Sequence, residues 1–156
     1  MAAEYGTILS QTIPVNGSAV FTESPVPCNK GLIYHRDGSG LFRLASPSVI
    51  GYGSCCCGRM PTANYTVAFH GTIQVPEGGT AGTISLAIFV DGEEDFTSVM
   101  SATPAAVSEP FTVGTDIVVA VPWICRCSTV SVRNVGDIPL ELLNGNIVFG
   151  FDGIQR

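Results

Sequence analysis

A chain of 156 residues with 46% hydrophobic and only 13% charged side chains is about half as ionic as an average domain. It is expected to form one domain whose outside is largely covered by copies of itself or by a larger assembly. The net charge is −6, and the seven basic residues (Lys30, Arg36, Arg43, Arg59, Arg126, Arg133 and Arg156) are scattered singly. That scatter excludes the clustered cations a nucleic-acid partner needs, and the longest apolar runs, such as 117–124, are too short for a membrane span.

The opening MAAEYGTILSQ has neither the basic start nor the apolar core of an export signal, so synthesis in a cytosol, where thiols stay reduced, is expected. Residues 1–30 read as an extended, proline-bearing N-terminal arm with the first strands, ILSQTI and AVFTE. Residues 31–156 read as the main domain. GLIYH and LFRLAS flank HRDGSG, whose Asp-Gly step favours a tight hairpin loop. After the cysteine run comes YTVAFHGTIQV, with Tyr65, Val67, Phe69, Ile73 and Val75 on one face and Thr66, Ala68, His70, Thr72 and Gln74 on the other. PEGGTAG turns the chain into TISLAIFVDG, which reads as the antiparallel neighbour of that strand. Ile84, Leu86, Ile88 and Val90 point inward, whereas Thr83, Ser85, Ala87 and Phe89 form a small, weakly polar face suited to another protein surface, a candidate subunit interface. TSVMSA, EPFTV, DIVVAV, STVSVRN and NGNIVFGFDG complete about ten strands. With Gly, Pro, Asn and Asp interrupting every eight to twelve residues, the fold class is all-β: an antiparallel β-sandwich, best matched by a jelly roll.

Six cysteines invite chemistry: Cys28, the run Cys55, Cys56 and Cys57, and Cys125 with Cys127. On extended chain Cys55 and Cys57 share a face, as do Cys125 and Cys127, ~6.8 Å apart. Neither spacing is that of a zinc knuckle, and no metal is expected. Two readings remain open: a disulfide or inter-subunit thiol cluster joining the two segments, and buried free thiols acting as small hydrophobes. The two segments are expected at one end of the barrel, near a subunit seam. His35 reads as a loop hydrogen-bond partner and His70 as a surface or interface residue. DGEED (91–95) lacks the spacing of a calcium loop and reads as a charged hairpin tip. GSG at 38–40 and GGTAG at 78–82 read as turns rather than phosphate loops. No nucleophile signature occurs, so neither an enzyme nor a cofactor is expected.

The runs FTESPVPCNKGLIYHRDGSGLFRLAS, YTVAFHGTIQVPEGGTAGTISLAIFVDGE, MSATPAAVSEPFTV and CRCSTVSVRN resemble a family of small proteins encoded by tailed phages and prophages of gut Firmicutes. More loosely, the pattern is similar to the trimeric TNF/C1q-like jelly rolls at the heads of bacterial and viral fibres. The resemblance covers most of the chain from about Phe21 onward and implies a virion structural protein that is a homotrimer. It carries over no catalytic or ligand residue. The expectation is a capsid decoration (cement) protein on the head surface, with the phage major capsid protein or another virion protein as partner. TILSQTIPV would be the element exchanged with a neighbour or laid along the shell by strand addition. The alternative is a receptor- or glycan-binding fibre head, for which Trp123 and Tyr52 are the candidate exposed aromatics. A cell-wall hydrolase lacks its paired carboxylates in a recognisable frame.

Overall fold

The computed structural model describes residues 2–28, 31–46, 62–122 and 127–155. They form two antiparallel sheets packed as a β-sandwich. The first sheet runs, in spatial order, β10 (Phe111–Pro122), β6 (Thr62–Gln74), β12 (Leu140–Gln155), β1 (Ala2–Thr7) and β3 (Glu23–Val26), and β2 (Gln11–Ile13) also pairs with β12. The second runs β4 (Ile33–His35), β5 (Phe42–Ala45), β11 (Cys127–Asn134), β7 (Ile84–Val90) and β8 (Glu93–Glu94), with β9 (Met100–Ala102) paired to β7.

The alternation in β6 sets the layering. Tyr65, Val67, Phe69 and Ile73 are fully buried, while Thr66, Ala68 and Thr72 are half-buried and His70 is exposed, the period-2 pattern of a sheet with one wet face. Phe42, Leu44, Leu86 and Ile88 enter the same core from the second sheet. An aromatic cluster closes one side of it. Tyr5, Phe21 and Phe149 surround Phe42 at 4.9–5.3 Å between ring centroids, in tilted and edge-on geometries that avoid face-to-face repulsion.

The N-terminal stretch is built into the first sheet of its own chain. β1 pairs with β12 from Ala2↔Gly150 to Thr7↔Gly145, and β2 continues along the same strand from Gln11↔Leu142 to Ile13↔Leu140. The register changes between the two, so residues 8–10 leave the ladder and stand Ile8 and Leu9 in solvent at 74% and 70% exposure. The hairpin expected at HRDGSG is present, with Tyr34 opposite Arg43 and Gly38 at φ +83°, a backbone region where only glycine sits without strain.

Three details differ from the sequence reading. β6 and β7 are not neighbours: β6 pairs with β10 and β12, whereas β7 pairs with β11, β8 and β9. The PEGGTAG stretch therefore carries the chain from one sheet to the other. EPFTV and DIVVAV are parts of one twelve-residue strand, β10, that runs through Gly114. A Cβ there would come within 2.5 Å of the His70 ring, so the glycine admits a close neighbour rather than breaking the strand. TSVMSA divides into a single 3₁₀ turn (Phe96–Ser98), capped by the Asp95 side chain, and β9.

Candidate interaction surfaces

None of the six strands of the first sheet contains a lysine or arginine. Strand pairing arranges their outward residues in rows across β10, β6, β12 and β1. One row reads Val118, Thr66, Gly150, Ala2, and the next reads Asp116, Ala68, Val148, Glu4. Val118 is 71% exposed. Two carboxylates on this face have partners, since Glu4 Oε1 accepts from Asn146 Nδ2 at 3.1 Å and Asp152 Oδ2 accepts from the Thr66 hydroxyl at 2.6 Å. Where Gly6 interrupts the face, a shallow depression of about 330 Å³ opens, rimmed by Glu4, Glu23, His70, Asn144 and Asn146. Gly6 leaves room for a close approach there, since a Cβ would come to 3.2 Å from the Gly145 carbonyl oxygen.

The second sheet presents a different exterior. On β7, Ser85 and Ala87 are buried within the single chain and Phe89 is half-buried, while Thr83, just before the strand, is exposed. Hydroxyl pairs tie this strip to the neighbouring strand, with Ser85 to Ser101 at 2.8 Å and Thr83 to Thr103 at 3.0 Å. The Arg133 guanidinium lies 4.8 Å over the Phe89 ring, a cation–π contact that shields the aromatic face. The face predicted as an interface is thus partly closed by its own chain. Further along the same sheet Tyr34 is 67% exposed beside an exposed Arg43.

Of the cysteine cluster, Cys55, Cys56, Cys57 and Cys125 lie outside the described residues. Cys127 is exposed at the start of β11, and Cys28 is half-buried against the core. The described residues that flank both cysteine-bearing stretches meet at one end of the sandwich. Cys127 is opposite Ala45, Pro122 is opposite Thr62, and the Ser46 hydroxyl donates to the Pro122 carbonyl at 3.3 Å.

The two histidines separate as their positions imply. Both ring nitrogens of His35 face backbone carbonyls, Phe21 O at 3.1 Å and Leu41 O at 3.2 Å, and the ring stacks on Phe42. His70 stands on the open face of the first sheet beside Gly114. In the acidic hairpin, Asp91 Oδ1 accepts from the Thr129 backbone N–H at 3.0 Å, and Asp95 Oδ1 accepts from both the N–H and the hydroxyl of Thr97. Those two carboxylates satisfy local backbone donors. Among the described residues no group of three His, Cys, Asp or Glu is placed to hold a metal ion.

Tyr65 was legible as a core residue but not as a tie between sheets. Its hydroxyl crosses the sandwich to donate to the Ala45 carbonyl. Burial, with a smaller push from nearby Cys28, moves its phenol up from 10.0 to about 12, because the charged form loses hydration. Compared with protein-family models and with curated proteins, the chain matches none.

Proposed function

We propose that this chain is a structural subunit of a phage virion, a homotrimeric capsid decoration protein with a TNF/C1q-like jelly-roll fold. The strand order supports the jelly roll: the N-terminal strand lies beside the C-terminal one, and each sheet combines strands from both halves of the chain. One observation carries the assembly reading. On a sandwich that has already closed its own core, Ile8, Leu9, Tyr34, Phe96 and Val118 remain 67–81% exposed, on a chain only 13% charged. Together with the scarcity of charge, these residues support a surface that is covered in an assembly.

On this reading the work of the molecule is area. Each copy adds non-polar contact to its sister subunits and to the shell beneath, and the sum resists pressure from inside the head. Ile8 and Leu9, on their exposed bulge, are the residues best placed to engage the shell. A second reading, a glycan-binding fibre head, is favoured by the depression at Gly6, whose amide and carboxylate rim suits a polyol. The test is to add the purified protein to phage heads lacking it and image the particles. Regular density on the capsid surface is expected, whereas density confined to a tail appendage favours the fibre reading.

A further inference from the structure

We infer that the outer face of the second sheet, around Tyr34 and Arg43, docks a different protein through carboxylates that this partner presents. The inference goes beyond the assembly reading, because it concerns a foreign chain and not the number of copies that associate. It lies to one side of the Thr83, Ser85, Ala87 and Phe89 strip, across β4 and β5.

Charge is divided between the two sheets. The strands of the first contain Glu4, Glu23, Asp116, Glu141 and Asp152 and no lysine or arginine. In the second the pattern reverses. β4, β5, β7, β9 and β11 contain no aspartate or glutamate, while Arg43 stands on β5 and Arg133 on β11. Arg36, the remaining described cation, is exposed in the β4–β5 hairpin. Arg36 and Arg43 have no ion pair or hydrogen bond among the described residues. The acidic residues that border them are engaged elsewhere. Asp37 accepts from the Ser24 hydroxyl at 3.2 Å, and Asp91 accepts from the Thr129 N–H at 3.0 Å. Glu93 and Glu94 sit at the far edge of the sheet, beyond β11 and β7.

These groups set the chemistry of the occupant. Tyr34 is 67% exposed and lies directly opposite Arg43, and Leu41 is 44% exposed in the same hairpin. Opposed side chains on one face of an antiparallel pair stand ~5 Å apart at Cβ, so the ring and the guanidinium can meet one group together. A guanidinium fork takes a carboxylate with two parallel hydrogen bonds. Tyr34 and Leu41 supply apolar area around it, and tyrosine and arginine are the residues that most often dominate protein contacts. A protein surface bearing carboxylates is drawn to this sheet and repelled by the other, which fixes its orientation. Nucleic acid fits poorly. Duplex phosphates recur every ~1.7 Å, whereas this side offers three described cations on a chain of net charge −6.

The experiment uses the full-length protein and three labelled probes: a short peptide alternating glutamate with threonine, the same peptide with lysine for glutamate, and a DNA duplex. Binding is followed by fluorescence anisotropy for wild type, Arg43→Glu, Tyr34→Ala and, on the first sheet, Glu4→Gln. Tyr34 and Arg43 are exposed, so their variants keep the fold, which circular dichroism checks. Wild type and Glu4→Gln are expected to bind the glutamate peptide equally. Arg43→Glu should bind it at least tenfold more weakly and Tyr34→Ala several-fold more weakly, with native masses unchanged throughout. No binding of the glutamate peptide, or equal binding by wild type and Arg43→Glu, would overturn the assignment. So would preference for the lysine peptide or for DNA. A wild-type oligomer that Arg43→Glu dissociates would give this face to a sister copy and overturn the assignment as well.

Discussion

Asn134 shows how much one polar side chain holds. It is fully buried at the end of β11. Its amide donates to Ile13 O at 3.1 Å and Ile138 O at 3.0 Å, and its carbonyl accepts from Gly136 N–H at 2.9 Å. One residue of the second sheet therefore fixes β2 of the first sheet and the loop leading into β12. Asn134→Ala strips partners from three backbone groups at once. It is expected to cost about 3 kcal/mol in urea unfolding, since each buried group left unsatisfied costs about 1–3 kcal/mol. Tyr65 gives a pH test. The folded protein keeps the phenol proton that the unfolded chain releases above pH 10.0, because its own value is about 12. The stability this proton contributes is fully present below pH 10.0 and is lost as pH rises through about 12. Tyr65→Phe should lose about 1 kcal/mol at neutral pH through the missing hydrogen bond. Its stability should then fall less steeply than wild type across the alkaline range, as followed by far-UV circular dichroism.

At the scale of elements, the β1–β12 pairing matters most. Tyr5 is buried between Phe42 and Phe149 and edge-on to His35, and Ala3 is buried beside it. Tyr5→Ala is expected to destabilise the sandwich by about 3–5 kcal/mol, the usual cost of a cavity where a buried aromatic stood. Thermal melting of the variant checks this, and an unchanged melting point would mean that β1 is not part of the folded core. This strand was hard to read in the sequence. Its two-residue alternation was visible once Ala3, Tyr5 and Thr7 were known to face inward, but its partner lies at the far end of the chain, and no local pattern reports such a pairing. Strands with long alternating runs were legible: β6 and β7 have the faces their spacing implies. Their pairing was not, because PEGGTAG looks alike whether it closes a hairpin or crosses between sheets. Gly114 misled for a similar reason. A glycine that makes room for His70 has the same letter as one that ends a strand.

For the whole molecule, scarce charge was the signal that pointed outward, and the strand order shows which strands share a face. Composition alone could not say which face is bare, because that depends on which strands share a sheet. Thr83, Ser85, Ala87 and Phe89 have neighbours their spacing could not report, since Ser101, Thr103 and Arg133 come from the β9 segment and from β11. The described residues that flank the cysteine segments meet at one end of the sandwich, and intact mass with and without reductant will report the redox state of the thiols. On the proposed reading the exposed bulge at Ile8 and Leu9 is left for the shell. The most direct test is the native mass of the purified full-length chain at micromolar concentration. Three times the 16.3 kDa of one chain is the expected value, and a species of 16.3 kDa that persists as concentration is raised would contradict the account.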